Sequence, residues 1–259
     1  MTLRLALWQG AGVPGDIRAT LDETERLVAE ARAGGAGLVV FPEGFLTGYH
    51  VPGLTAEDLA PVEAALASLG RIAAGQGIAV VMGTHLAAPE GLRNAAVAFS
   101  AEGRELGRYH KRALFGDWEK ATFRPGEDTL RFDCGGLRVG VLICYDVEFP
   151  ELVRAEARAG AGLVVVPTAL MAPQDRIARQ MVAVRAMENQ LFLGYANRIG
   201  VEPGLSFVGL SSINGPDGET LARAEAEPQM LFADIDPQAI ARTRAESCYL
   251  DDVTRLSGG

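Results

Sequence analysis

The sequence has few of the side chains and runs that mark several large classes of protein. Its 259 residues include three cysteines and three histidines. They form no Cys-x-x-Cys pair or Cys/His cluster of the kind that binds zinc. An odd number of unpaired cysteines gives no disulfide framework, which favours a reducing, cytoplasmic location. No apolar run approaches the length of a membrane span, and the first ten residues do not resemble a signal peptide.

The chain also lacks an excess of basic residues. Its formal net charge is −9, whereas nucleic-acid binding requires a basic surface, so no nucleic-acid partner is expected. No glycine-rich phosphate loop follows the first apolar run, which argues against a flavodoxin-like nucleotide-binding protein. A hydrophobic fraction of 48% is sufficient for the core of a large globular domain.

Two segments of the chain recur in the same order. Residues 3–8 align with residues 137–142, and residues 30–42 align with residues 156–167. An Ala/Gly-rich composition alone is less able to produce two matched segments in the same order. The self-similarity therefore indicates two related halves. Each half has a strand–helix–strand pattern, which implies parallel strands joined by a right-handed crossover.

The elements around the repeat predict the fold class. Asp16 is expected to cap a helix that ends at the Gly34-Gly35 pair. Further strands are predicted near residues 78–82, 95–99, 191–195, 208–213 and 231–235, and further helices near residues 60–75, 149–159 and 175–189. Two similar α/β sheets of this kind predict a four-layer αββα sandwich with one shared core. Residues 1–242 are expected to form this single domain, and residues 243–259 a C-terminal tail on the surface or against a partner chain.

Cys144 ends an apolar, β-branched run that is typical of a buried parallel strand. Polar residues follow the thiol directly. Open α/β sheets place their chemistry beyond the carboxyl ends of their strands. An isolated cysteine is more often a small buried hydrophobic residue, so a nucleophile needs support from other residues.

Glu43 and Lys111 provide that support. Glu43 follows the predicted strand at residues 38–42, and the repeat places Thr168 at its position in the second half. The halves therefore share a scaffold but differ in chemistry. Lys111 lies in residues 109–120, which mix aromatic side chains with both charge signs and have no regular period. This segment is predicted to be a loop that covers part of a pocket.

The three residue types suit nucleophilic catalysis. A free thiol has a pKa near 8.5 and needs a base at neutral pH, and no histidine lies in a comparable place after a strand. Glu43 is expected to be that base, with a pKa raised by burial. Lys111 and the backbone N–H of Tyr145 are expected to stabilise the oxyanion of a tetrahedral intermediate.

These motifs resemble those of the nitrilase superfamily of carbon–nitrogen hydrolases. Phe-Pro-Glu-Gly-Phe at residues 41–45 is similar to the glutamate motif of the family, and Tyr-His-Lys at 109–111 to its lysine motif. Leu-Ile-Cys-Tyr-Asp-Val-Glu-Phe-Pro-Glu at 142–151 is similar to the cysteine motif. Further similarity covers residues 185–190, 196–198 and 209–218. The resemblance implies an αββα sandwich and a Glu-Lys-Cys catalytic set.

The resemblance also implies further site residues. Glu119 matches a second glutamate of amidase members, which helps to position the substrate, and Asp117 is the rival for this role. Substrate-binding candidates that line the expected pocket are Tyr49, Trp118, Tyr145, Thr168, Ala169 and Met171.

Within the superfamily, the Cys-Tyr-Asp order and the run Leu-Phe-Gly-Asp-Trp-Glu resemble aliphatic amidases, in particular 5-aminopentanamidase and stereoselective amidases. The implied reaction is hydrolysis of small linear amides, with 5-aminopentanamide-like substrates, to a carboxylate and ammonia through a cysteine thioester. The resemblance implies no metal or organic cofactor, and a homodimer or higher homo-oligomer.

Three alternatives remain at this point. N-carbamoyl amide hydrolysis or nitrile cleavage would use the same scaffold, although the Cys-Trp-Glu order typical of nitrilases is absent. A non-catalytic amide-binding protein would retain the pocket without turnover. The intact set of Glu43, Lys111 and Cys144 argues against that last alternative.

Overall fold

The computed structural model describes residues 2–256, and within them two six-stranded β-sheets form the centre of the fold. The strands in chain order are β1 (Leu3–Gln9), β2 (Leu38–Val40), β3 (Ala79–Ala88), β4 (Gly91–Phe99), β5 (Glu105–His110), β6 (Leu130–Cys134), β7 (Leu137–Val141), β8 (Leu163–Thr168), β9 (Phe192–Asn197), β10 (Ile199–Glu202), β11 (Leu205–Val208), β12 (Ser212–Asn214), β13 (Thr220–Arg223) and β14 (Gln229–Ile235).

The helices of the described residues lie between these strands and after them. The α-helices are α1 (Ile17–Ala33), α2 (Val62–Gln76), α3 (Gly116–Thr122), α4 (Pro150–Arg158), α5 (Val182–Asn189), α6 (Pro237–Glu246) and α7 (Tyr249–Leu256). A 3₁₀ turn covers Cys144–Glu148, and a π-helical turn covers Ile177–Met181.

The two sheets have the same plan. The first sheet has the order β14-β1-β2-β3-β4-β5, and the second has the order β13-β12-β9-β8-β7-β6. In each, three parallel strands form the centre and antiparallel strands flank them. Leu7, Val40 and Val81 are in register in the first sheet, as Val141, Val165 and Gly194 are in the second. The sequence repeat is therefore a structural repeat.

Side-chain alternation along β1 separates the layers. Leu5 and Leu7 belong to the same buried cluster as Val139 and Val141 of β7, so this part of the cluster lies between the sheets. Ala6 points the other way and packs in a second cluster with residues of α1 and α2. Successive side chains of a strand face opposite sides, so a strand buried on both faces is apolar throughout. The predicted αββα sandwich, in which helices flank two packed sheets, is confirmed.

Local sequence signals explain where the first helix begins and ends. The side chain of Asp16 accepts a hydrogen bond from the backbone N–H of Ala19 at 2.9 Å, as expected of an N-cap. The helix ends at Ala33, and the next two glycines follow it, with Gly35 at a φ of 83°. The predicted cap and end of α1 are confirmed.

One predicted strand, at residues 208–213, is wrong as a continuous element. The chain instead has β11 up to Val208 and β12 from Ser212. Gly209 and Leu210 between them have φ values of 65° and 59°, which belong to the left-handed region and not to a strand. The apolar pattern predicted burial correctly here, but it does not encode this change of direction.

The C-terminal segment is helical in the described residues. Helix α6 covers the predicted boundary after residue 242, and Ile240 within it is buried. The Gln190 amide after α5 donates to the Ser247 carbonyl at 2.9 Å, so this segment is fixed to its own chain. Residues 257–259 lie outside the described residues. The division at residue 242 and its place at an oligomer interface stay predictions. No helix within residues 2–256 is long and apolar enough to cross a membrane.

The close approach of β3 to the turn after β2 gives a testable prediction. A Cβ atom at Gly83 would lie 2.1 Å from the Pro42 carbonyl oxygen and 2.8 Å from the Glu43 Cα. Gly83→Ala is expected to lower the free energy of unfolding by about 1–3 kcal/mol, because rigid backbone atoms must shift. Urea denaturation measures this loss.

Gly75→Ala is the matched control, because a Cβ there meets nothing within 4 Å and the residue lies in α2. The control is expected to raise the free energy of unfolding by about 0.4–1 kcal/mol through the unfolded state. Equal effects of the two substitutions would contradict the proposed close approach.

Candidate active site

Cys144 begins a tight turn after the second sheet. Strand β7 ends at Val141, and the 3₁₀ turn starts at the cysteine itself. The φ of Cys144 is 45°, which is uncommon for a residue other than glycine and indicates local backbone strain. Only 8% of the residue is exposed. The turn thus holds a largely buried thiol in a fixed orientation beyond the end of the strand.

Glu43 lies in a turn after a central parallel strand of the first sheet. It follows β2, and the backbone N–H of Phe41 still donates to the Val81 carbonyl of β3 at 2.9 Å. The Glu43 side chain is fully buried. Its Oε1 accepts a hydrogen bond from the Asn94 amide at 2.7 Å, whereas its Oε2 has no hydrogen-bond partner in the described part of the chain. One carboxylate oxygen is therefore anchored and the other is available as a proton acceptor.

Lys111 follows β5 and is buried between two carboxylates. Its backbone N–H donates to the Asn94 carbonyl at 2.8 Å, which fixes it beside β4. Its Nζ lies 2.7 Å from Glu43 Oε1 and 2.6 Å from Glu119 Oε1. Buried charges persist when they are paired and hydrogen-bonded in this way.

Glu119 is held from several sides. It lies on the short helix α3, and its Oε1 also accepts a hydrogen bond from the Tyr49 hydroxyl at 2.7 Å. Its Oε2 accepts one from the backbone N–H of Phe115 at 2.6 Å. Asp117, the rival for this role, is exposed. The structure thus places Glu119, and not Asp117, beside Lys111.

The charges of the cluster fix its protonation. Burial raises the pKa of Glu43, against the charge of Lys111, and it raises the pKa of Cys144 well above its ordinary value, together with Glu43. Burial opposes the charge on Lys111, but Glu119 and Glu43 outweigh it and raise the pKa of the lysine. These directions favour a neutral thiol and an ammonium group, beside a Glu43 side chain of increased basicity.

A small enclosed cavity lies over the thiol. Its volume is about 10 Å³, comparable with the space of one water molecule. A substrate must therefore be small, or the side chains around the cavity must move. The lining residues are Tyr49, Phe115, Cys144, Tyr145, Glu148, Ala169, Leu170, Met171 and Gln174.

Four of the six predicted substrate-binding residues line this cavity: Tyr49, Tyr145, Ala169 and Met171. A backbone hydrogen bond from Ala169 also lowers the pKa of Cys144 against the effect of burial. The roles of these four lining residues toward a substrate stay predictions.

Trp118 and Thr168 lie outside the set of lining residues. The Trp118 ring packs against Tyr49, with ring centroids 5.6 Å apart. The Thr168 hydroxyl donates to the Val166 carbonyl at 2.9 Å, so its proton is used in a hydrogen bond within its own strand. Trp118 therefore supports Tyr49 of the cavity lining. A direct substrate contact by Trp118 or Thr168 stays a prediction.

Several residues of the site were missed by sequence reasoning. Asn94 contacts Glu43 because β4 lies between β3 and β5, but an asparagine in a strand carries no functional signal by itself. Phe115 and Gln174 line the cavity. Phe115 lies in the segment around Lys111, so proximity to that motif was an available signal. Gln174 follows Met171 by three residues and had no such signal.

A buried ion pair from the second half supports the Glu43 turn. Arg198 Nη1 donates to the carbonyl of Glu43 at 3.3 Å and to that of Gly44 at 3.1 Å. Arg198 also pairs with Glu202, which accepts a hydrogen bond from the backbone N–H of Tyr49 at 3.2 Å. The two halves therefore build the site together. Among residues 2–256 there is no cluster of three or more His, Cys, Asp or Glu side chains suited to a metal ion.

The buried ammonium gives a testable prediction. Lys111→Met would leave two buried carboxylates without their counter-charge, and removal of one partner of a buried pair costs about 3–5 kcal/mol. We expect the free energy of unfolding, measured in urea at neutral pH, to fall by this amount.

The matched control is Arg26→Met. Arg26 also lies between two glutamates, Glu23 at 2.6 Å and Glu30 at 3.0 Å, but this cluster is exposed. Its removal is expected to leave stability almost unchanged, because water screens exposed ion pairs. If both variants lose the same free energy of unfolding, burial adds nothing to the contribution of the ion pairs.

Comparisons with known proteins agree with this geometry. A family model described as carbon-nitrogen hydrolase matches residues 4–245. An (R)-stereoselective amidase from a Pseudomonas species is 33% identical over 259 residues, which cover 99% of this chain and 93% of that protein. A protein from Pyrococcus abyssi named a nitrilase is 36% identical over 230 residues, which cover 86% and 85% of the two chains.

A solved structure adds chemical detail. The amidase from Nesterenkonia sp. is 39% identical, superimposes with a TM-score of 0.84, and covers 94% of this chain and 94% of its own. Other structures of that amidase hold butyramide, or carry covalent adducts of acrylamide or of the acetamide moiety of fluoroacetamide at the active-site cysteine. The chain described here belongs to the carbon–nitrogen hydrolase family, as a cysteine-dependent amidase of the nitrilase superfamily.

Proposed function

We propose that this protein hydrolyses short linear amides to a carboxylate and ammonia through a thioester on Cys144. The observation that carries the proposal is the buried contact of Lys111 with Glu43 and Glu119 beside the thiol. This arrangement supplies a nucleophile, a base and a fixed positive charge. No metal or organic cofactor is required for any step of the scheme.

In the first step the Cys144 sulfur attacks the amide carbonyl carbon and its proton passes to Glu43. The carbonyl π bond breaks, and the negative charge collects on the oxygen. Lys111 and the backbone N–H of Tyr145 stabilise this oxyanion. Such preorganised donors are effective because they need no reorientation as charge develops.

In the second step the carbonyl re-forms and the C–N bond breaks. Glu43 returns the proton to the leaving nitrogen, which departs as ammonia and leaves a thioester. Glu43 then takes a proton from water as the water oxygen attacks the thioester. Collapse of this intermediate breaks the C–S bond, returns the proton to Cys144 and releases the carboxylic acid. Glu119 positions Lys111 and the substrate throughout.

The small volume of the cavity favours short substrates, and the side chains around it must move to admit one. Butyramide in the Nesterenkonia amidase, to which this chain is similar, supports the same size class. The relative named a nitrilase favours nitriles as the second candidate class, and carbamoyl amides are the third. A cytoplasmic location and a homo-oligomeric state stay predictions.

A substrate panel tests the reaction. We expect wild-type protein to release ammonia from butyramide faster than from butyronitrile or N-carbamoyl amino acids. Cys144→Ala is expected to abolish release, and Glu43→Gln to lower kcat by about 10²–10⁴-fold, as for loss of a general base. Mass spectrometry of the wild-type protein during turnover should detect an acyl group on Cys144. Ammonia release by Cys144→Ala at the wild-type rate would overturn the proposal.

Glu148 supports the finer proposal of 5-aminopentanamide-like substrates. It lines the cavity four residues after Cys144, and a 3₁₀ turn rises about 2 Å per residue, so the Cα atoms lie roughly 8 Å apart along its axis. Its side chain accepts no hydrogen bond within the described residues. A carboxylate that lines the same cavity as the thiol suits the ammonium group of an amino amide.

Glu148→Gln tests this assignment. We expect KM for 5-aminopentanamide to rise about tenfold or more, because a charge-assisted hydrogen bond is lost, while KM for uncharged butyramide stays the same. Asp117→Asn is the control, because it removes an exposed acidic group that lies outside the cavity. Equal changes in KM for both substrates would exclude a selective role of Glu148.

A further inference from the structure

Asp146 is a buried carboxylate that the reaction scheme does not use. It lies two residues after Cys144 in the same 3₁₀ turn and is fully buried. Both of its carboxylate oxygens accept hydrogen bonds from the protein itself, so its partners and not a substrate occupy them. A buried carboxylate that is not compensated is costly, so its hydrogen-bond partners indicate what it does.

The partners come from both sides of the active site. Asp146 Oδ2 accepts hydrogen bonds from the Ile143 backbone N–H at 3.0 Å and from the Tyr109 hydroxyl at 2.9 Å. Oδ1 accepts one from the Ala113 backbone N–H at 2.7 Å. Ile143 directly precedes the nucleophile. Tyr109 and Ala113 lie two residues before and two residues after Lys111.

One carboxylate thus joins the turn of the nucleophile to both flanks of the lysine. Backbone N–H groups only donate. The N–H groups of Ile143 and Ala113 therefore each require an acceptor, and Asp146 supplies one oxygen to each. The φ of 45° at Cys144 also needs surrounding structure to maintain it. The Ile143 contact satisfies the backbone N–H at the start of that strained turn, and the other two fix the segment that carries the ammonium.

We propose that Asp146 is a positioning residue that sets the placement of Lys111 relative to the Cys144 sulfur, with Tyr109 as its main side-chain partner. The inference rests on the proposed roles of those two catalytic residues. Loss of these contacts would displace the oxyanion donor and leave the substrate pocket intact. The expected signature is therefore a lower kcat with little change in KM.

Asp146→Asn and Tyr109→Phe test the proposal separately. The amide introduced by D146N can still accept from Tyr109 and Ile143, but its NH₂ group would then face the Ala113 N–H, donor against donor. Y109F removes only the hydroxyl on the other flank of Lys111. With butyramide we expect kcat to fall by about 10- to 100-fold in D146N, and by a smaller factor in Y109F, because small misplacements of catalytic groups have effects of this size. KM is expected to change by less than about threefold, since no substrate contact is lost.

The double variant D146N/Y109F measures the coupling between the two residues. If both residues act through one set of contacts, the loss of kcat in D146N/Y109F is smaller than the product of the single losses. Val28→Ala is the control for reduced stability, because Val28 is buried in α1 outside the site. Its kcat is expected to match the wild type at a temperature where all variants are folded.

A second readout does not require turnover. The rate of Cys144 alkylation by iodoacetamide, measured by peptide mass spectrometry against exposed Cys248, is expected to fall in D146N because a displaced Lys111 no longer favours the thiolate. This readout remains valid if the protein releases no ammonia from any amide, so failure of the proposed function is seen separately.

If D146N does not fold, Y109F and its alkylation rate decide the question alone. Folded variants that keep both kcat and the Cys144 alkylation rate within twofold of the wild type would overturn the proposal. A loss of kcat in Val28→Ala equal to that in D146N would also overturn it, because reduced stability would then explain the effect.

Discussion

The buried ammonium of Lys111 is the interaction on which the rest of the site depends. Two carboxylates within 2.7 Å compensate for the loss of its hydration, and the ammonium in turn offsets much of the cost of burying their charges. Burial raises the pKa of the Cys144 thiol, and the charge of Lys111 opposes that increase. The thiol, the carboxylates and the ammonium are therefore a single electrostatic unit, and a change at one member alters the protonation of the others.

The duplicated scaffold explains how such a unit can form from distant parts of the sequence. Both central parallel sheets end at turns, and their carboxyl ends are the usual place for chemistry in α/β folds. The first half supplies Glu43 from one such turn and the second supplies Cys144 from the other. Arg198 donates to the carbonyls of the Glu43 turn, so the second half contributes to the geometry of the first.

Much of this arrangement follows from sequence, and the limits have physical causes. Apolar runs predict the strands before Glu43 and Cys144, and the cap at Asp16 is confirmed because its signal is local. The contact of Asn94 with Glu43 depends on how β3, β4 and β5 pair, which a single sequence does not specify. The break at Gly209 and Leu210 is similar, since both residues fit an apolar strand pattern and only the fold requires their left-handed φ values.

The position of β14 has a consequence for the order of events during synthesis. This strand pairs with β1 along its whole length, from Leu3 with Ile235 to Gln9 with Gln229. Strand β1 thus keeps one open edge until more than 200 further residues have been translated. An unpaired strand edge is a template for aggregation. The nascent chain must therefore protect that edge, and the completed first sheet is a late product of translation and not an early folding unit.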